Sequence, residues 1–303
     1  MKLFVRCICV LSIALGAPAL CRAGGAWVPN PGDGDVSFGV SRKTASTSWD
    51  VSGNSYVNAN GAGQVSYHDF RYGYLTGELG LLKNLSASFL LTYLDGFEGA
   101  HATLEENQGP SDAWFGLKYA IAKGDLPMAI AFTYRTPFLY KVSGPYNRYV
   151  YDRFGHILHP SPNWRGLLKN DYTVSYLISQ SVFHGGWWNA QVGYTWRDGA
   201  PADQIPVLVD LGYPLPFWSS YGKLAASYYR SLGNFSPALP DDRFGNGAKN
   251  NFNNASILRV AVSILVPVGS RQKLWLEGGY GQWLWGISAR RYREPFISVD
   301  RRF

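Results

Sequence analysis

The stretch WWNAQVGYTWRDG alternates without a break. Trp188, Ala190, Val192, Tyr194 and Trp196 fall on one side, and Asn189, Gln191, Gly193, Thr195 and Arg197 on the other. Successive side chains of a strand point to opposite faces, so a period of two marks a strand with one apolar and one polar face. LRVAVSILVPV repeats the pattern, with Leu258, Val260, Val262, Ile264 and Val266 opposite Arg259, Ala261 and Ser263. So do SASFLLTYL, with Ala87, Phe89, Leu91 and Tyr93 on its apolar face, and YTVSYLIS, with Tyr172, Val174, Tyr176 and Ile178. A soluble sandwich also alternates, but its polar faces carry many more Lys and Glu than these do.

Composition turns the alternation toward a membrane. Aromatic residues make up 16% of the chain and charged residues also 16%, where charged residues near 25% are usual. Beyond the first 23 residues there is no apolar run of the eighteen or more that a spanning helix needs. A membrane protein of this kind has one other way to pair every backbone group in lipid, a closed β-barrel. The expected fold is therefore all-β: a transmembrane antiparallel up-and-down barrel of about twelve strands. The alternating segments lie near 35–43, 65–80, 85–97, 111–121, 127–138, 169–181, 187–198, 203–213, 220–232, 254–267, 272–286 and 292–303.

The joints alternate in length. Short turns fall at LLKN, AKGDL, FHGG, PLPFW and VGSRQ, and longer polar loops near 43–64, 98–110, 139–168 and 233–253. That asymmetry is the one expected of an outer-membrane barrel with both termini periplasmic. Trp187, Phe217, Trp218 and Trp275 near the turns, with Tyr134, Trp196 and Trp285 at the other end, are expected to form headgroup girdles. In the second strand Asp69 and Arg71 share one parity and Glu78 takes the other, which predicts a bulge near Gly73 or Gly77.

The two ends of the chain supply an address. MKLFVRCICVLSIALGAPALCRA has a basic start, an apolar stretch and small residues before a cut, the order of a cleaved secretory signal peptide over 1–23. Residues 24–303 then form a single barrel domain. All three cysteines lie in the removed segment, which excludes a disulfide scaffold, a thiol nucleophile or a cysteine-bound metal in the exported chain. The formal charge of +7 also falls, to 25 bases against 21 acids, a net of +4 that does not argue for nucleic acid. At the other end, Phe303 closes a strand with Val299 and Ile297 on the same face. Together these resemble the signal read by barrel-assembly machinery, interrupted by Arg301.

If the apolar faces meet lipid, the opposite parity lines the lumen. It contains Lys118, Arg135, Arg197, Asp210, Lys223, Arg259 and Glu277. Charge on the lipid face costs about 2–4 kcal/mol near the midplane, so inward use is required. These side chains either pair across the interior and fill it, or line a weakly cationic channel that favours anions or polar solutes. Loop 139–168 mixes five aromatic residues (Tyr140, Tyr146, Tyr149, Tyr151, Phe154) with Lys141, Arg148, Arg153 and Arg165, suited to folding into the pore or lying against lipopolysaccharide phosphates.

Chemistry has little support in the sequence. A catalytic base must reach its nucleophile, and of five histidines only His159 in HPSPN sits beside a serine, between prolines unsuited to strand pairing. PDDRFGNG, from Asp241 to Gly247, has the composition of a turn. No enzyme activity, cofactor or metal is expected.

Three stretches carry a family likeness: LTGELGLLKNLSASFLLTYLD, DAWFGLKYAIAKGDLPMAIAFTYRTP and NAQVGYTWRDGAPADQIPVLVDLGY. With GGAWVPNPGDG as the mature start, the chain resembles small outer-membrane barrels grouped as transporters, the phenol meta-pathway and XagA-like group. The resemblance implies fold, membrane and transport, and supplies no catalytic residues. The reading is an outer-membrane channel or passive facilitator for small solutes. Its expected partners are outer-membrane lipid and lipopolysaccharide, the assembly machinery and the solutes. The alternatives are a plugged structural or surface-assembly barrel linked to exopolysaccharide, and a membrane-embedded lipid hydrolase.

Overall fold

The computed structural model describes residues 25–50, 52–57, 67–99, 105–137, 148–151, 157–161, 170–182, 185–197, 202–233, 255–269, 273–287 and 289–303. The expected signal segment 1–23, most of loops 139–168 and 233–253, and Asp241 to Gly247 lie outside them. Twelve antiparallel strands close into a barrel. They are β1 (Gly34–Ala45), β2 (Tyr67–Leu82), β3 (Leu85–Gly99), β4 (Glu105–Ala122), β5 (Met128–Pro137) and β6 (Asp171–Val182). They continue as β7 (Gly186–Arg197), β8 (Gln204–Pro214), β9 (Tyr221–Ser231), β10 (Ser256–Val268), β11 (Leu274–Ile287) and β12 (Arg293–Arg302). Each strand pairs with its sequence neighbours, and β12 returns to β1 with Val299 opposite Phe38. Closure leaves no edge in the ring, as lipid demands.

The faces follow the alternation. On β10, Val262 is 55% and Ile264 46% exposed, while Arg259 and Ser263 are buried. Val192 and Trp196 on β7, and Tyr172, Val174 and Tyr176 on β6, are likewise exposed. The outside is thus an apolar belt and the inside polar.

Phe303 completes the seam beside both barrel termini. Its N–H donates to the Gly34 carbonyl at 3.0 Å, and the Gly34 N–H donates back at 3.3 Å. Phe303, Val299 and Ile297 are all exposed on the outer face, as is Arg301. We call this the turn end, because the tight connections after β2, β4, β6, β8 and β10 gather there.

Three expectations need correction. Of the loop expected near 98–110, the described residues 98–99 and 105–110 are strand: β3 and β4 continue to Glu98 opposite Glu105, with Gly109 and Pro110 paired to Leu94 and Tyr93 and a register shift at Leu91/Tyr93. No bulge occurs near Gly73 or Gly77; β2 pairs with β1 in unbroken register, and its irregularity against β3 falls between Gly80 and Leu82. Asp69 and Arg71 keep outward parity because they sit at the loop-end rim, where Arg42 and Asp95 pair with them. Trp187 and Trp275 are not lipid girdle residues: both turn inward, Trp187 donating its indole N–H to Asp210 at 3.0 Å, a bond lipid cannot offer. Phe217 and Trp218 do remain exposed in the turn after β8, where Trp218 and Ser219 take left-handed backbone.

Two small sheets lie outside the ring. Strands 47–49, 55–57 and 289–290 form one, and 148–151 with 157–161 the other.

Candidate functional site

The lumen carries two tiers of charge. On β4, Lys118 and Asp112 are six residues apart on the inward face; on β12, Asp300 and Glu294 are as well. One member of each couple lies near the turn end and the other toward the loop end. The remaining inward charges join one tier or the other through their contacts.

In the turn-end tier the Lys118 Nζ lies 2.8 Å from Glu78, and the Lys223 Nζ 3.7 Å from Glu277. Glu277 also accepts from Ser263 at 2.7 Å. Asp210 accepts from Trp187 and, at 2.9 and 3.1 Å, from Asn189. Trp187, Tyr221 and Trp275 stack along the same inner wall, with Arg302 over the Trp275 ring.

In the loop-end tier, Arg135 donates to Asp112 through Nε at 2.8 Å and also through Nη2. Its Nη1 reaches Asp171 at 3.4 Å, and Arg197 lies 3.6 Å from the same carboxylate while donating to Gln204. Across the barrel, Arg259 Nε donates to Glu294 at 2.8 Å. Ser41 donates to the other oxygen of Glu294 at 3.0 Å, and the Lys43 Nζ lies 3.8 Å from it. Glu294 is wholly buried.

The seven residues singled out by alternation, Lys118, Arg135, Arg197, Asp210, Lys223, Arg259 and Glu277, all face inward and each is paired. Alternation alone did not reach Lys43, Glu78, Asp112, Asp171, Glu294 and Asp300. Among the described residues these six bases and seven acids, with Arg302 and Asp35 on the same inward parity, nearly cancel, so the described interior is balanced rather than cationic. Arg135–Asp112, Arg135–Asp171, Arg197–Asp171 and Lys43–Glu294 join neighbouring strands, while Lys118–Glu78, Lys223–Glu277 and Arg259–Glu294 each reach across one intervening strand; the order and register of strands were the missing signal. His68 is buried against Phe70 at a 6.4 Å ring separation. His101, His156 and His184 lie outside the described residues, as does the His159 side chain.

A second feature crosses this lumen. Residues 25–33, just before β1, run along the inside of the barrel. The Gly25 carbonyl accepts from the Lys118 Nζ at 3.2 Å, and the Ala26 N–H donates to Ser179 Oγ at 2.6 Å. Ala26 packs with Ala129 and Leu177 on the inner wall. At its other end the Gly32 N–H donates to the Gly80 carbonyl at 2.9 Å, and the Gly80 N–H to the Asp33 carbonyl at 2.9 Å. Gly25 therefore sits against β6 and β7, and Gly34 begins β1, six strands round a twelve-strand ring. The segment spans the lumen from wall to wall.

Two glycines make room for it. A Cβ on Gly80 would stand 2.0 Å from the Asn30 carbonyl oxygen and 2.6 Å from that of Pro29. A Cβ on Gly25, already at φ +54°, would meet Asn189 Oδ1 at 2.1 Å. In the sequence this stretch, GAWVPNPGD, is broken by glycine and proline and shows no alternation, and so reads as a plain lead-in. The available clue was Gly80, an inward position without a side chain.

A closed antiparallel ring with an apolar belt outside and paired charges inside is the fold of an outer-membrane barrel, and it places the chain in the outer membrane. Among solved structures the chain is similar to the COG4313 outer membrane channel from Pseudomonas putida F1, at 12% identity and TM-score 0.60, over 93% of this chain and 99% of that one. It is also similar to the KdgM porin, at 6% identity and TM-score 0.48, over 88% and 99% of the two chains. A FadL homologue from Pseudomonas aeruginosa matches at 9% identity and TM-score 0.47, over 96% and 99%. No protein-family model matches the sequence and no curated protein does, so the likeness to the phenol meta-pathway and XagA-like group remains one of strand texture.

Proposed function

We propose that the barrel is a narrow channel for small polar solutes, closed at its turn end by residues 25–33 and opened when that segment leaves the wall. The observation that carries this is the wall-to-wall course of the segment, held by a few hydrogen bonds and one small apolar contact. Such bonds contribute about 1 kcal/mol each, a hold that thermal motion or a solute can reverse. In this reading the turn end faces the periplasm and the seven inward residues from Lys118 to Glu277 line the path. The paired interior gives little net selectivity between anions and cations.

The pairing of most of the described luminal charges also favours a second reading, a permanently plugged structural barrel. One experiment separates the two. Refolded protein in planar bilayers is expected to show brief, small conductance steps, and liposomes containing it to swell in small sugars or amino acids. Bilayers that stay silent, with liposomes that do not swell, would leave the plugged barrel as the better account.

A further inference from the structure

The loop-end tier contains an arrangement that charge balance does not require. Lys43 extends from β1 between two aromatic rings, its Nζ 5.1 Å from the Tyr72 centroid and 5.7 Å from that of Trp283. Below the ammonium lies Glu294 at 3.8 Å, wholly buried. The rings are braced from behind: Tyr292 meets Trp283 edge-on at 4.7 Å, and Phe70 packs on both Tyr72 and Tyr292. Arg259 and Ser41 hold the carboxylate in place. The negative faces of two rings over one fixed carboxylate form a receptor for an organic cation.

We propose that this is a binding site for the ammonium group of a solute, and that Lys43 is its tethered resident. The rings and Glu294 are fixed by packing on β2, β11 and β12. Lys43 is the one component on a flexible four-carbon stem, able to swing away without breaking a backbone bond. A solute ammonium that replaces it exchanges one cation for another, so the charge of the site is unchanged. An anion gains nothing there, because the ring faces and Glu294 repel it. A neutral alcohol of the same length lacks the charge that both ring and carboxylate recognise. The ligand class is a primary amine on a short apolar stem, the shape Lys43 itself presents.

The inference deepens the channel reading and rests on it for access from the loop end, but occupancy is measured without transport. Folded barrel in detergent is titrated by calorimetry with n-butylammonium chloride, and with n-butanol and sodium chloride as controls. Lys43→Ala removes the tethered competitor and is expected to bind n-butylammonium at least about tenfold more tightly than the intact protein. Lys43→Ala with Glu294→Gln is expected to lose that binding. Folded Lys43→Ala that takes up no n-butylammonium, or takes up n-butanol equally well, overturns the proposal. Should Lys43→Ala refold poorly, yield becomes the readout: recovery with n-butylammonium but not n-butanol supports the site, and indifference to the amine overturns it. Silent bilayers with intact amine binding would sink the channel and leave the site; the reverse would sink the site alone.

Discussion

Replacing Gly80 with alanine tests the luminal segment with one methyl group. The new Cβ would stand 2.0 Å from the Asn30 carbonyl oxygen, where contacts under 3.0 Å are essentially never found. The β2 backbone is held by β1 and β3 along its length, so the segment is the part that yields, by at least about 1 Å. A retreat of that size takes Gly32 and Asp33 out of their 2.9 Å bonds with Gly80. Two bonds at about 1 kcal/mol each shift the balance toward the undocked form by about 2 kcal/mol, close to thirtyfold. Single-channel recording reads this as a higher open fraction, with heat-modifiable gel mobility unchanged. Gly278→Ala is the control, since a Cβ there meets nothing within 4 Å. A folded Gly80→Ala barrel with the open fraction of the parent would refute the reasoning.

Further outcomes follow from the same contacts. Arg259→Gln leaves the wholly buried Glu294 without its 2.8 Å partner, so it is expected to destabilise the barrel by about 3–5 kcal/mol, seen as a lower unfolding midpoint in urea; replacing both residues by leucine should cost less. Deleting Phe303 removes the seam bonds to Gly34 and, if the residue also carries the assembly signal, should lower the heat-modifiable barrel recovered from outer membranes; an unchanged yield would remove that role. Reversal potentials in a salt gradient should lie near zero rather than on the anion side, because the inward bases and acids among the described residues nearly cancel; a strong anion preference would contradict the pairing. Asp50 accepts from the backbone N–H groups of Asn54 and Ser52 outside the spanning strands, which holds its carboxyl below the ordinary value. The turn it caps is therefore intact above the usual aspartate pKa of about 3.9 and opens as pH falls through the lowered value, detectable as faster amide exchange at Ser52 and Asn54.

How far the sequence reached depends on the kind of information each feature needs. Alternation is local, so it found the strands, the outward faces of β6, β7 and β10 and the inward parity of Arg135, Arg197 and Arg259. It failed where local texture is ambiguous. Gly109 and Pro110 read as loop but lie within β4, paired with Leu94 and Tyr93 just past a register shift. Trp187 read as a girdle residue because indole suits an interface, yet its parity with Asn189 already pointed inward. Pairing was out of reach: Arg259 on β10 and Glu294 on β12 are 35 residues apart and meet by reaching across β11. The crossing segment was hidden for a related reason, since its contacts are with distant strands and leave no pattern in its own residues beyond Gly25, and on β2 only the missing side chain at Gly80.

All three cysteines lie within the first 23 residues, so residues 24–303 carry no thiol and a disulfide can be placed there without interference. Ala26 of the crossing segment packs against Ala129 of β5, and cysteine at both positions would tie the segment to the wall. Conductance of that double variant should be recorded in one bilayer, first oxidised and then after a reductant. The account predicts silence in the oxidised state and brief openings that return on reduction. Equal conductance in the two states would contradict it, because solute would then pass with the segment fixed in place.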